Sequence, residues 1–187
     1  MEFNVADLLE RVAANIPDRE AVICGKQRAT YKHFDEQSRQ FGRYLLSIGL
    51  GKGDHVGIYA YNSIEWIVAM LGCYKVGAVP ININYRYVED ELIYILKDAD
   101  IKAVIYDTEF SDKINAIRAQ LPLLQHFVYL DNQNAVPDFP TMEGSIRFSQ
   151  ACACSADAVF PARSADDLYV LYTGGTTGFP KGVVWRQ

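Results

Sequence analysis

The chain contains the stretch Tyr172–Val183, which reads Tyr-Thr-Gly-Gly-Thr-Thr-Gly-Phe-Pro-Lys-Gly-Val. An apolar run from Leu168 to Tyr172 leads into it and predicts a strand. Glycines let the backbone take positive φ and bring its amides close to an anion, while threonine hydroxyls and a lysine add donors and positive charge. The stretch therefore predicts a phosphate-binding loop after a strand; the alternative is an ordinary glycine turn between two strands.

The spacing excludes two common nucleotide-binding loops. A Walker loop needs a Ser or Thr directly after its lysine, but here Pro180 precedes Lys181 and Gly182 follows it. The dinucleotide fingerprint G-x-G-x-x-G is also absent, and its nearest approach is the segment 49–54. Neither a P-loop NTPase nor a Rossmann dehydrogenase fits this sequence.

The ordered pattern resembles the signature loop of the adenylate-forming enzymes, which include acyl-CoA synthetases, luciferases and peptide-synthetase adenylation domains. The chain departs from that pattern at Gly174, where Ser is more usual. The resemblance covers nearly the whole chain from about Leu8. Thr30–Phe34 is similar to the first core motif of the family, and Asn62–Trp66 with Cys73–Asn82 is similar to the second.

Within the family, Asn82, Tyr85–Tyr87 and the ending Gly182–Gln187 resemble the fatty-acyl-CoA synthetase branch, including bacterial enzymes that activate long-chain or steroid side-chain acids. The resemblance implies a reaction in which a carboxylic acid and ATP, with Mg²⁺, form an acyl-adenylate that is transferred to CoA. An aryl- or amino-acid-activating adenylation domain and a non-catalytic nucleotide-binding module stay open as alternatives. The acceptor, CoA or a carrier protein, also stays open.

By resemblance, the loop holds the β- and γ-phosphates of ATP, and the hydroxyl of Thr173 contacts magnesium. The implied phosphate-binding residues are Thr173, Gly174, Gly175, Thr176, Thr177, Gly178 and Lys181. The later motifs of the family have no counterpart before Gln187, so the sequence assigns no catalytic residue. We expect residues 1–187 to be the N-terminal portion of the AMP-binding domain of a longer enzyme, ending just after the phosphate-binding loop.

Hydrophobic periodicity predicts helices that alternate with short strands, hence a mainly parallel α/β sheet with helices on both faces. The predicted helices are 4–15, 31–48, 63–75, 88–98 and 110–120, and the predicted strands are 21–24, 28–31, 55–60, 78–83, 103–106, 126–130 and 168–172. We expect residues 131–167 to form a long irregular connection with at most a short helix near Phe148–Cys152. Asp166-Asp167 is interpreted as a solvated turn.

Charge and composition limit the partners. The net charge is -5 at pH 7 and no basic stripe exists, which argues against nucleic acid and favours small-molecule substrates. No apolar run is long enough to span a bilayer, and the start lacks the apolar region of a signal peptide. The four cysteines fit neither a disulfide scaffold nor zinc spacing. We expect a cytoplasmic protein, with peripheral attachment to a membrane left open, and the sequence leaves the oligomeric state open.

Overall fold

The computed structural model describes residues 3–130, 141–153, 157–173 and 179–187. The helices are α1 (Val5–Asn15), α2 (Tyr31–Ser47), α3 (Ile64–Lys75), α4 (Glu89–Asp98), α5 (Ser111–Ile117) and α6 (Phe148–Cys152). The strands are β1 (Glu20–Cys24), β2 (Gln27–Thr30), β3 (His55–Tyr59), β4 (Val79–Asn82), β5 (Ala103–Asp107), β6 (His126–Leu130), β7 (Ile146–Arg147), β8 (Leu168–Thr173) and β9 (Lys181–Arg186).

Within the described residues, seven strands form one sheet in the order β7-β6-β5-β3-β4-β8-β9. Every neighbouring pair in it is parallel except β8 and β9, which form an antiparallel hairpin. The first two strands, β1 and β2, pair separately and antiparallel. Helices α3, α4 and α5 each connect two parallel strands, as such crossovers require. The predicted mainly parallel α/β sheet is confirmed.

Local sequence signals explain where the central helices begin and end. The hydroxyl of Thr30 accepts a hydrogen bond from the backbone N–H of His33 at 3.2 Å, and Ser63 caps α3 through the N–H of Trp66 at 3.0 Å. Gly77 follows the end of α3 with φ of 71°, a left-handed conformation that suits glycine. Thr30 stands directly before the helix predicted over 31–48, and Ser63 is the first residue of the helix predicted over 63–75.

The core lies on both faces of the sheet, because side chains alternate along each strand. Ile105 packs on one face with α1, α2, α3 and α6, whereas the next residue, Tyr106, packs on the other face with α4 and α5. The predicted placement of helices on both faces is therefore confirmed.

Three elements differ from the sequence-based expectation. The helix predicted over 110–120 is α-helical only over Ser111–Ile117, with a 3-10 turn on either side, and Pro122 follows two residues after the second turn. The strands β7 and β9 were not predicted. Strand β7 has two residues, and β9 is exposed along all six, so neither carries an alternating pattern. The short helix expected at Phe148–Cys152 is present as α6.

Asp167 corrects the interpretation of Asp166-Asp167 as a solvated turn. Asp166 is exposed, but Asp167 is 3% exposed and accepts hydrogen bonds from the Asn4 side-chain amide at 2.8 Å and the Ser164 N–H at 3.0 Å. The ammonium of Lys52 lies 3.1 Å from its other oxygen. Asn4 is 163 positions away in the chain, so local sequence gives no sign of this burial.

In the part of the chain that the structure describes, no helix has both the length and the apolar character needed to cross a membrane.

Candidate phosphate-binding site

The hairpin of β8 and β9 brings together two residues that the sequence analysis assigned to phosphate binding. Thr173 ends β8, Lys181 begins β9, and the two are paired across the hairpin as its last rung. Both side chains are exposed. The ladder thus sets Thr173 and Lys181 side by side where the connecting loop begins and ends.

The other assigned residues lie outside the described residues. These are Gly174, Gly175, Thr176, Thr177 and Gly178. From its glycine content we expect the loop from Gly174 to Lys181 to be mobile without ligand, and since most of it lies outside the described residues, this stays a prediction.

Gly182, next to Lys181, has a packing role in the hairpin. It is paired with Tyr172 on β8, and a Cβ atom placed on Gly182 would lie 3.2 Å from the Tyr172 ring and 3.3 Å from Val170. Such a contact is tighter than most side chains tolerate. The glycine of the Pro-Lys-Gly segment therefore lets the Tyr172 ring lie across the hairpin.

Helix α4 contacts the hairpin on both sides of the loop. The phenol of Tyr172 donates a hydrogen bond of 2.6 Å to Asp98, and the rings of Phe179 and Tyr94 stack with centroids 4.4 Å apart and an interplanar angle of 25°. Burial, the bond to Asp98 and nearby charge raise the pKa of Tyr172, so the phenol keeps its proton. The sequence analysis did not identify Tyr94 or Asp98 as site residues.

The loop follows the carboxyl end of β8, at the edge of the sheet where open α/β sheets bind ligands. In the sheet, β4 lies on one side of β3 and β5 lies on the other. The chain therefore changes direction across the sheet at this edge, which makes a topological switch point. There the buried Asp107 accepts a 2.6 Å hydrogen bond from the Tyr61 N–H. The Tyr61 ring lies 4.7 Å from Tyr85 and 5.4 Å from Phe110, between ring centroids.

Two tyrosines at this edge have perturbed pKa values. A hydrogen bond with Glu109, then burial, raises the pKa of Tyr61 to about 12. Burial, followed by the charge of Glu89, raises the pKa of Tyr59 to about 12, and its hydroxyl donates to the carbonyls of Tyr85 and Tyr87. Both phenols therefore act as hydrogen-bond donors at neutral pH. Tyr59 ends β3 and Tyr61 follows two residues later, and this place at the carboxyl end of a strand was the sequence signal that could have identified this edge.

Tyr74 and Trp66 pack in one core and Tyr87 packs against the other. The acidic residues 89–91 occupy the first turn of α4, where they oppose the helix dipole favourably. Among the residues that the structure describes, no group of three or more His, Cys, Asp or Glu side chains could hold a metal ion.

Comparison with known proteins agrees with the loop and the fold. Residues 9–187 match the family described as AMP-binding enzyme. The chain belongs to this family. The adenylate-forming resemblance of the signature loop and the upstream motifs is thereby confirmed.

Curated relatives are acyl-CoA ligases. The medium/long-chain-fatty-acid–CoA/3-oxocholest-4-en-26-oate–CoA ligase of Mycobacterium marinum is 40% identical over 189 residues, which cover 99% of this chain and 34% of that protein. The 3-oxocholest-4-en-26-oate–CoA ligase of Rhodococcus rhodochrous is 42% identical over 188 residues, covering 100% of this chain and 34% of that protein. The chain spans about a third of the length of these relatives.

Solved structures of the same family share the fold. The anthranilate CoA ligase AuaEII, in complex with anthranoyl-AMP, superposes with a TM-score of 0.89 at 28% identity over 99% of this chain and 35% of its own. The inhibitor-bound N-terminal domain of FACL13 from Mycobacterium tuberculosis gives a TM-score of 0.77 at 31% identity, covering 100% of this chain and 44% of its own.

Proposed function

We propose that this chain supplies the triphosphate-binding wall of an ATP-dependent acyl-CoA synthetase. The observation that carries the proposal is the pairing of Thr173 with Lys181 at the end of a hairpin, on the ligand-binding edge of a parallel sheet. The segment between them is the Gly-Thr loop of the AMP-binding family.

The loop would bind the β- and γ-phosphates of ATP. Backbone amides and hydroxyls from Thr173 to Gly178 would donate hydrogen bonds to phosphate oxygens, and the ammonium of Lys181 would add positive charge. Gly174 supplies an amide but no hydroxyl, so one donor that Ser would provide is missing. Lys181 is exposed and has no ion-pair partner in the described part of the chain, which leaves its charge free for an anion.

The Thr173 hydroxyl would be this chain's contribution to a magnesium site. An uncharged oxygen ligand beside phosphate fits the oxygen coordination that Mg²⁺ prefers, with other positions filled by phosphate and water. Bound Mg²⁺ would neutralise phosphate charge during the reaction. Thr173 ends β8, which fixes its backbone at the entrance of the loop.

The proposed reaction has two halves. The carboxylate of the acid attacks the α-phosphorus of ATP, the bond to the β-phosphate oxygen breaks, and pyrophosphate leaves. The CoA thiol then loses its proton and attacks the acyl carbon of the acyl-adenylate, and AMP leaves. Two anions meet in the first half, so the loop and Lys181 contribute by stabilising negative charge on the phosphates.

The proposed acid is a medium- or long-chain fatty acid or a steroid side-chain acid, supported by the relatives that are 40% and 42% identical. An aryl acid is the second candidate, since AuaEII is an anthranilate CoA ligase with a closely superposed fold. We propose a cytoplasmic location, with association at a membrane surface as one route by which an apolar acid arrives.

The test is an assay of the complete gene product. It would be incubated with Mg-ATP, labelled pyrophosphate and a panel of fatty, steroid side-chain, aryl and amino acids, and CoA-thioester formation would be followed separately. We expect pyrophosphate exchange and thioester formation with the fatty or steroid acids, and their loss in Lys181→Ala. Exchange with amino acids alone would contradict the acyl-CoA assignment, and no exchange with any acid would favour a non-catalytic nucleotide-binding module.

A further inference from the structure

One face of α4 holds both arms of the β8–β9 hairpin. Tyr94 and Asp98 are four residues apart, so they lie one turn apart on the same side of the helix. Asp98 accepts the hydrogen bond of Tyr172, the last residue but one of β8. Tyr94 stacks on Phe179, two positions before β9 begins. The proposed phosphate-binding segment lies between these two contacts.

The strand pairing between β8 and its neighbour β4 holds the hairpin weakly near its loop. The parallel register of β4 with β8 contains a single pair, Ile81 with Val170, three residues before Thr173. All six residues of β9 are exposed. Beyond Val170, the direction of the hairpin therefore depends on other contacts, and those with α4 occur at its loop end.

The position of Asp98 supports a role outside α4 itself. Asp98 is the last residue of the helix, where the negative end of the helix dipole disfavours a carboxylate. Its hydrogen bond with Tyr172 gives that charge a donor from another element. The Phe179 side chain is 59% exposed, so its stacking on Tyr94 contributes little to a hydrophobic core. Its main effect is to hold the chain in place near Lys181.

We propose that Tyr94 and Asp98 are positioning residues that fix the two arms of the hairpin, and through them Thr173 and Lys181, for phosphate binding. The inference rests on the function proposed above. A loop whose ends are held in place loses less conformational freedom when it binds, so the contacts raise affinity without touching the ligand. Both contacts act together, since each restrains one arm.

The variants separate the two contacts. Asp98→Ala and Tyr172→Phe remove the hydrogen bond, and Tyr94→Leu removes the stacked ring. Asp98→Asn keeps an acceptor oxygen, and Tyr94→Phe keeps the ring. Tyr169→Phe is the matched control, because Tyr169 lies on β8 but packs against the opposite core.

The first measurement is amide hydrogen exchange on the 187-residue chain without ligand. We expect Asp98→Ala, Tyr172→Phe and Tyr94→Leu each to speed exchange at the last two rungs of the hairpin by about tenfold, with exchange in β3 unchanged. The conservative variants and Tyr169→Phe should exchange like the original chain. Unchanged exchange rates at these rungs, or an equal rise in exchange rate across all strands, would overturn the proposal.

The second measurement is titration of the complete gene product, and of the same variants in it, with Mg-tripolyphosphate and Mg-ATP. We expect Asp98→Ala and Tyr94→Leu to weaken binding about fivefold, and the conservative variants to restore it. If the complete gene product binds neither ligand while hydrogen exchange at the rungs responds as expected, the positioning contacts stand and the proposed function fails. If all variants bind the ligands equally and exchange at the rungs is unchanged, the proposed phosphate-binding function stands and the positioning role of Tyr94 and Asp98 is wrong.

Discussion

Lys75 shows what a single buried charge does in this fold. Its side chain is 1% exposed, and its ammonium lies 2.7 Å from Glu10 on α1 and 2.6 Å from Asp35 on α2. Glu10 also accepts two hydrogen bonds from the guanidinium of Arg163, at 3.0 and 2.6 Å. The lysine thus joins three helices, and the arginine adds the segment before β8.

Removing the Lys75 charge should destabilise the protein. We expect Lys75→Met to lower the free energy of unfolding by about 2–4 kcal/mol, because two carboxylates lose a buried partner, although arginines still reach both. Lys102→Met is the control: the Lys102 side chain is 46% exposed and that of its partner Asp54 is 20% exposed, so the loss should stay below about 1 kcal/mol. Urea unfolding measures both. Equal losses would contradict the importance of the buried amine.

Glu10 should make stability depend on acid pH. Burial opposes its ionisation, but the hydrogen bonds from Arg163 and Lys75 outweigh burial and lower its pKa from 4.5 to about 2. The folded state therefore binds this proton less readily than the unfolded state. Its stabilisation is complete above pH 4.5 and is lost as the pH falls towards about 2.

We therefore expect Glu10→Gln to be less stable at neutral pH and to lose less stability across that acid range than the original chain. Denaturant unfolding at a series of pH values gives, for each of the two proteins, the slope of the unfolding free energy against pH. Glu36→Gln, an exposed carboxylate on α2, should leave the slope unchanged. A Glu10→Gln curve parallel to the original would show that the ion cluster does not carry the acid sensitivity.

Among single residues, the sequence identified those that belong to a local motif. It missed those whose roles depend on partners far away in the chain. Thr173 and Lys181 were assigned from the loop motif, where they stand at its two ends, but their pairing across the hairpin was not predicted. The partners of Lys75 lie 65 and 40 positions away. No local pattern could predict that meeting.

At the level of elements, periodicity predicted the central strands and helices because each buries one face or a continuous apolar run. It failed for β9, whose six residues are all exposed and whose pairing depends on β8. It also gave no sign that α4 contacts the hairpin, because that contact joins elements far apart in the chain. Strand pairing and helix placement are tertiary facts that local propensity does not contain.

Helix α1 is tied to the base of the hairpin by its cap, Asn4. This buried side chain accepts a hydrogen bond from the Ala6 N–H at 2.8 Å and donates to Asp167 at 2.8 Å, directly before β8. We expect Asn4→Ala to cost about 2–4 kcal/mol of unfolding free energy, because the cap and a buried partner are lost together.

The Thr30→Ala variant provides the comparison for Asn4→Ala. Thr30 caps α2 through a single hydrogen bond with His33, so its loss should cost about 1 kcal/mol. Thermal and urea unfolding of the two variants under the same conditions give the difference. Equal costs would mean that the bond between Asn4 and Asp167 contributes nothing beyond the cap.

In the molecule as a whole, contacts from both faces of the sheet hold the hairpin. Asn4 and Lys52 contact Asp167 at the start of β8, and α4 contacts the loop end. The elements on the two faces thus contact the base of the hairpin and the ends of its two arms next to the loop. The surrounding fold places the proposed phosphate-binding edge, while the loop supplies its chemistry.

The same architecture limits what this chain can do alone. It spans about a third of its curated relatives, and its proposed contacts to ATP come from one loop. Charge-assisted hydrogen bonds contribute roughly 1.5 to 3 kcal/mol each when water is excluded, and less at an exposed site. They must offset about 4 kcal/mol or more of lost translational and rotational freedom.

We therefore expect the 187-residue chain to show no measurable acyl-CoA synthetase activity and to bind Mg-ATP with millimolar affinity or weaker. Pyrophosphate exchange tests the activity, and calorimetric titration tests the affinity. Mg-tripolyphosphate should bind about as well as Mg-ATP, because the proposed loop contacts phosphates and not the adenine. Micromolar binding of Mg-ATP that Lys181→Ala abolishes would contradict this prediction, since it would show that one loop suffices to hold the nucleotide.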